Sequence, residues 1–359
     1  MRKLSKKIII TGSNGLIGSE AVLHFDRKGF HVLGIDNNMR ADFFGPKGDT
    51  TWNLRRLQNQ TNHFEHHDLD IRDRGAILDI FKSSRPHVII HCAAQPSHDL
   101  ASKRPFDDFD VNATGTLNLL EATRLYAKES PFIFMSTNKV YGDAPNEIPL
   151  VELGSRYDYA RKEDHQGVSE SCRIDQSLHS LFGASKVAAD VITQEYGRYF
   201  NMPTVCFRGG CLTGPSHSGV ELHGFLSYLV KVAVSNETYK IFGYKGKQVR
   251  DQIHSKDVIS AMEAYIQSPR PAGVYNLGGG RESNASLLEC IRMIEARLNR
   301  PIKTEYINAN RKGDHICYIS NLAKFKSHYP QWHLTRFNDD IIDEILEREL
   351  SHTKKKNAI

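Results

Sequence analysis

Nine residues near the start of the chain, Ile10-Thr11-Gly12-Ser13-Asn14-Gly15-Leu16-Ile17-Gly18, restrict its possible folds more than any other feature. They follow a short β-rich apolar run, Lys7–Thr11, and open a stretch of helical spacing, Leu16–Lys28. A glycine-rich turn in that strand-to-helix context is a dinucleotide-binding fingerprint. Gly12 allows the tight turn, Gly15 lets the backbone approach a pyrophosphate, and Gly18 lets helix and strand pack closely. The helix start, with Asn14, Leu16 and Ile17 around it, offers unpaired N–H groups and the positive dipole end to phosphates. A second strand ends in Asp36, where a carboxylate accepts both ribose hydroxyls and repels a 2′-phosphate. NAD is therefore expected rather than NADP. Asn37, Asn38 and Arg40 come directly after it, and Arg40 is near enough to weaken that preference.

The alternation continues. Strand-like runs occur at His31–Asp36, His87–Ala94 and Phe132–Thr137, with helical spacing over Val111–Tyr126. In that helix Leu117, Leu120, Ala122 and Leu125 are expected on one face. Near-continuous apolar strands between helices imply an α/β chain, a Rossmann-type doubly wound parallel sheet. Asp70-Ile71 comes after the third strand, where an acid can meet an adenine amino group. Ala93-Ala94-Gln95 ends the fourth with room for a cofactor. Asn112 is either a ligand contact or a buried brace for the sheet. Residues 143–181 are polar and weakly periodic and are expected to form an irregular insertion. A helix is expected over Gly183–Tyr199 and a strand over Thr204–Gly209. Later helices are expected over Leu222–Val234, Val258–Gln267, Ser286–Leu298 and Asn338–Glu349. The expected division is a dinucleotide-binding domain over 1–210, a smaller mixed α/β substrate lobe over 211–350, and a disordered tail over 351–359.

Charge and cysteine usage exclude other classes. The net charge of +5 is spread along the chain, with dense basic runs only at the two ends, so no nucleic-acid partner is expected. The six cysteines include no C-x-x-C pair and no zinc-ligand spacing, so neither a metal nor a disulfide framework is expected. A reducing cytoplasm fits them best. The first apolar run is too short for a signal peptide, and no long apolar stretch suggests a membrane span.

TGSNGLIG, DNN, HCAA, STNKVYG and G-x-S-K, in that order, resemble the extended short-chain dehydrogenase/reductases, a group that includes sugar-nucleotide epimerases and dehydratases. The resemblance covers residues from about 7 to 330. Within the group the chain is most similar to the CDP-paratose (CDP-tyvelose) 2-epimerases, through STNKVYGD, the long insertion before G-A-S-K and the run Gly246-Lys247-Gln248-Val249-Arg250-Asp251. The resemblance implies inversion at a sugar C2 through a transient ketone, with the same hydride taken and returned by NAD. It implies that Thr137 bonds the reacting oxygen and that Lys186 holds the nicotinamide ribose and lowers the pKa of a neighbouring phenol. Arg250, and Arg311 with Asp314 in Arg311-Lys312-Gly313-Asp314, match positions that grip the substrate diphosphate. Many relatives dimerise beside the lysine helix. Val187–Tyr199 suits either that homodimer pairing or the core.

The pattern breaks at Phe182, where the family's proton-transferring tyrosine is expected four residues before Lys186. A positioned acid or base contributes roughly 10²–10⁴-fold. Three readings are open: a substitute base, a protein that binds NAD and a nucleotide sugar without turnover, or a tyrosine-to-phenylalanine replacement made to trap a complex. Imidazoles titrate near neutrality, which favours His98 and His179 as substitutes. His179 would share a helix face with Phe182 if the helix begins early. Lys139, Tyr141, Tyr157, Tyr159, Asp164, His165 and Asp175 are further candidates. Cys211 and Thr213 stand before Gly214-Pro215, where many relatives carry an aromatic residue. Asn138-Lys139 after Thr137 replaces the Asp-Glu pair common in dehydratases, which leaves a dehydratase or net oxidoreductase as the alternative.

Overall fold

The computed structural model describes residues 6–221, 223–309 and 314–357, with side chains through residue 352. It divides into two compact units, Met1–Val140 with Ser180–Gly209 and Val258–Tyr275, and Tyr141–His179 with Gly210–Asp257 and Asn276–Ile359.

The first unit is built on a seven-stranded sheet. From one edge its order is Gly273–Leu277, Thr204–Gly209, Phe132–Thr137, Val88–His91, Lys7–Thr11, His31–Ile35 and Phe64–His67. All pairings from Thr204–Gly209 to Phe64–His67 are parallel. Parallel strands need crossovers that cover both faces, which is why the inner strands are almost continuously buried, whereas the edge strand Phe64–His67 is polar and only partly buried. Ile8, Ile9 and Ile10 are fully buried. Ile9, Leu33, Ile77, Phe81, Ile89, Leu119, Phe132 and Phe134 share one core cluster. Burying each such side chain contributes about 1.5–3 kcal/mol. The chain runs from Lys7–Thr11 to one side and later returns to the other, so its order reverses at that strand's carboxyl end. In open α/β sheets ligands bind at this switch point.

Several boundaries differ from expectation. The helix over Gly115–Tyr126 is preceded by a π-helical turn, Asp110–Thr114. Along this helix Leu119, Leu120 and Ala122 are buried while Leu125 faces solvent, because at 3.6 residues per turn Leu125 stands about 140° around the axis from Leu120. The lysine helix spans Leu181–Phe200, two residues longer at its start than its spacing suggests. Ser180 caps it, its side chain accepting from the Gly183 N–H, and Asn201 ends it in the left-handed region. Segment Val258–Tyr275, read from sequence as part of the lobe, belongs to the first unit.

In the second unit the Val249–His254 strand pairs parallel with Cys211–Thr213 and Cys317–Tyr318 and antiparallel with Asn284–Ser286. Leu226, Leu229, Val230, Ile291, Ile294, Ile341, Ile342 and Ile345 belong to one apolar cluster. Most of the insertion belongs here and is ordered. It contains an antiparallel hairpin, Leu150–Glu152 with Tyr157–Tyr159. Buried Tyr159 packs with Val249, Cys317 and Ile319, anchoring a segment whose polar residues carry no periodic signal. The last helix runs Asn338–Asn357, so the expected disordered tail at 351–359 is helical through Asn357. Ile341, Ile342, Ile345 and Leu346 bury its first half. Its remainder is rich in good helix formers.

Candidate functional site

Steric exclusion shapes the glycine turn. Gly12 has φ +67°, and a Cβ there would meet Ala93 N at 2.7 Å. A Cβ on Gly18 would lie 2.0 Å from the Gly12 carbonyl oxygen, whereas one on Gly15 would meet only that oxygen, at 3.3 Å. Gly12 and Gly18 thus enforce close packing, and Gly15 leaves space in front of the helix start. No side chain caps the Leu16–Arg27 helix, so its first amides remain available to an anion.

The Asp36 carboxylate accepts from the Asn14 N–H at 3.0 Å and the Asn38 N–H at 2.8 Å. Burial raises its pKa, and the two amides partly offset this. Each oxygen retains acceptor capacity for a ribose hydroxyl. Asn38 is locked in a left-handed conformation by its side-chain bonds to Asp49 and Thr50. Arg40 stacks over Phe44 at 4.7 Å, and burial pulls its pKa to about 10. The turn, the uncapped helix start and Asp36 fit a dinucleotide.

Asp70 is already engaged by Arg72, at 2.7 Å, and by the Asn37 amide, at 3.2 Å. Ile71 is buried beneath it. Ala93 N donates to Thr11 Oγ1 at 3.3 Å, and Ala94 comes next before Gln95. Asn112 proves to be a brace. Its side chain accepts from Gln95 N and donates to Gln95 O, Asp108 and Ser185. Buried Asp108 also accepts from Gln95 Nε2 and Ser185 Oγ. Burial raises its pKa, with those bonds opposing. This network was not foreseen, because an aspartate in Pro105-Phe106-Asp107-Asp108-Phe109 looks like a solvated helix-start charge.

Two strands from Lys7–Thr11 in the sheet, Thr137 closes its strand and its Oγ1 accepts from Lys139 N at 3.2 Å. Lys186 is buried, donates to Met135 O at 2.8 Å and lies 4.1 Å over the Phe134 ring. Burial pulls its pKa to about 8 despite nearby Asp190. Asp190 is paired with buried Arg208 at 2.8 Å and accepts from Ser136. The buried Phe182 ring meets His98 edge to face, centroids 5.0 Å apart. His98 Nδ1 shares a 2.7 Å hydrogen bond with Ser180 Oγ. An imidazole therefore stands directly beside the aromatic ring at the expected tyrosine position.

Other substitutes fare less well. His179 precedes the helix cap, belongs to the second unit, and donates from Nδ1 to Ser177 O at 2.9 Å. The expectation that it shares a helical face with Phe182 fails because the helix starts at Leu181. Tyr141 is fully buried and donates to Asn276 Oδ1 at 2.7 Å. Tyr159 donates to Cys317 O, Tyr157 bonds Glu152, and Asp164 pairs with Arg161.

In the second unit Arg250 and Asp314 meet at 2.6 Å, and Arg250 also donates to Val249 O. Burial disfavours the arginine charge, but Asp314 outweighs it and the pKa is raised. Arg311 lies outside the described residues. Cys211 is half-buried and Thr213 buried. Among the described residues no group of three or more His, Cys, Asp or Glu could hold a metal ion, and no helix is long and apolar enough to cross a membrane.

A family model described as the NAD dependent epimerase/dehydratase family matches residues 8–278. The chain is 32% identical over 325 residues to CDP-paratose 2-epimerase of Salmonella typhi, spanning 89% of this chain and 92% of the relative. It is 29% identical over 332 residues to human (Homo sapiens) UDP-glucose 4-epimerase, covering 88% and 89%. Among solved structures, a tyrosine-to-phenylalanine mutant of Bacillus cereus UDP-glucuronic acid 4-epimerase, in complex with UDP-4-deoxy-4-fluoro-glucuronic acid and NAD, aligns with TM-score 0.76 at 24% identity. That alignment covers 96% of this chain and 99% of the other.

Proposed function

Because the chain belongs to the NAD dependent epimerase/dehydratase family, we propose that it inverts C2 of a nucleotide-activated sugar through a transient ketone. NAD is the cofactor that the Gly12–Gly18 turn and Asp36 accommodate. When bound, it supplies the acceptor and donor of hydride at the reacting carbon. The observation that carries the C2 reading is the likeness to a CDP-paratose 2-epimerase along 89% of the chain. Asn138-Lys139 after Thr137 supports it over a dehydratase, which needs an acid and a base there to expel water.

Each residue has a separate task. Thr137 Oγ1 bonds the reacting oxygen and orients its hydroxyl. His98 takes the hydroxyl proton and returns it. Its support is its position against Phe182 and its bond to Ser180, which fixes the ring. Phe182 has no proton to give and serves as an apolar wall. Lys186, when charged, stabilises negative charge on the oxygen. Arg250 and Arg311 take the diphosphate. Tyr199, 83% exposed on the lysine helix, and Leu181, 51% exposed, suit a homodimer surface. The six cysteines, none in a disulfide, suit a reducing cytoplasm.

The test is incubation of the purified protein with CDP-, UDP- and dTDP-sugars, read by NMR and mass spectrometry. C2 epimers of unchanged mass, with a C2 deuterium label retained, are expected. Loss of one water would establish a dehydratase, accumulating NADH absorbance a net oxidoreductase, and binding of both ligands without product a non-catalytic protein.

A further inference from the structure

Two segments of the first unit are joined across the strand that leads into the glycine turn. Asp42 lies in the short helix Met39–Phe44, which comes after the strand His31–Ile35. Arg104 lies between the helices His98–Lys103 and Pro105–Phe109, which come after the strand Val88–His91. These two strands flank Lys7–Thr11 on either side. A bond between the segments after them must therefore cross the carboxyl end of Lys7–Thr11, where Gly12 begins the turn.

The two segments are joined by two contacts. Arg104 Nη1 lies 2.8 Å from Asp42 Oδ2, and the same guanidinium sits 4.9 Å from the centre of the Phe43 ring. The chain of charge continues away from the turn. Arg104 Nε pairs with Asp107 at 2.7 Å, Asp107 with Arg72 at 3.1 Å, and Arg72 with Asp70 at 2.7 Å. Asp70 comes after Phe64–His67, so the segments after three strands are joined.

We propose that Asp42 and Arg104 form a clasp that retains the dinucleotide by closing its groove over the switch point. A lone exposed ion pair contributes about 0–1 kcal/mol. Here the arginine is shared between two carboxylates and stacked on a ring, and the network must part before a ligand beneath it can leave. The clasp acts on the dissociation rate and suits a protein that reuses its cofactor in every cycle. It rests on the cofactor reading alone and is independent of which sugar carbon reacts.

The test is the exchange rate of bound NAD. Protein loaded with NAD is chased with excess fluorescent etheno-NAD in 0.1 M and 1 M salt, between which the Debye length falls from about 10 Å to about 3 Å. Arg104→Ala should release NAD about tenfold faster in low salt, and Asp42→Asn several-fold faster. High salt should accelerate the wild type but scarcely change Arg104→Ala. The swapped pair Asp42→Arg with Arg104→Asp should restore slow release. Equal release from wild type and both single variants would overturn the clasp. Because Asp42 is exposed, Asp42→Asn keeps the test decisive should Arg104→Ala fail to fold. Failure of the wild type to bind NAD would instead overturn the cofactor reading.

Discussion

The two ends of the cofactor groove are built from different materials. At the Gly12–Asp36 end the contacts are backbone: a carbonyl-packed turn, uncapped helix amides, and a carboxylate pinned by the Asn14 and Asn38 N–H groups. At the Thr137–Lys186 end they are side chains from separate segments, with His98 brought against Phe182. A backbone cradle tolerates little change, because an added Cβ has nowhere to go. Side-chain machinery can exchange parts, which is how a phenylalanine can occupy the usual tyrosine position without loss of the surrounding frame.

The sharpest way to break this comparison is His98→Ala. Turnover should fall roughly 10²–10⁴-fold while NAD retention stays unchanged. A fall below threefold would remove His98 as the base. Phe182→Tyr in that background should recover part of the loss, since it returns a phenol beside Lys186.

Gly18→Val tests the other end. Its Cβ would start 2.0 Å from the Gly12 carbonyl, and overpacking of this kind costs about 1–3 kcal/mol. NAD binding by calorimetry should be lost, along with several degrees of melting temperature. Retained binding would show that the turn is more plastic than its packing implies.

Asp36→Asn should lower NAD affinity about tenfold, or about 1.4 kcal/mol, and narrow discrimination against NADP, measured by titrating both. An unchanged ratio would pass the selecting role to Arg40.

The pH profile sharpens the reacting end. Lys186 titrates at about 8 rather than 10.5 because it is buried. Turnover should decline as pH rises through about 8, and Lys186→Arg should move that limb upward. For stability the sign is opposite. Between about 8 and 10.5 the unfolded lysine holds its proton while the native one does not, so this residue's contribution to stability rises with pH. The smallest expected effect is Ser180→Ala, which removes a helix cap at a cost of about 1 kcal/mol, read by thermal melting, and frees the His98 ring.

Much of the cofactor end was legible because its signals are short-range. Gly12, Gly15 and Gly18 act within one turn, and Asp36 ends the next strand. The reacting end was legible only in part. Thr137, Phe182 and Lys186 were singled out by motif, whereas the bond between His98 and Ser180 spans 82 positions. The helical-face argument for His179 fell because the helix starts at Leu181, two residues after it. Leu125 was misplaced because it stands about 140° around the helix axis from Leu120, off the face that packing buries.

The sequence alone determined the parallel sheet, the close-packed glycine turn and the place of Asp36 after the second strand, since periodicity, steric exclusion at glycine and the end of a strand are local properties. Tertiary structure alone decided which imidazole stands against Phe182, that Asn112 braces Asp108 and Ser185, that the polar insertion folds around Tyr159, and that Asp42 reaches Arg104. Each of these depends on groups distant in the chain, whose meeting is set by the packing of the whole sheet and its crossovers.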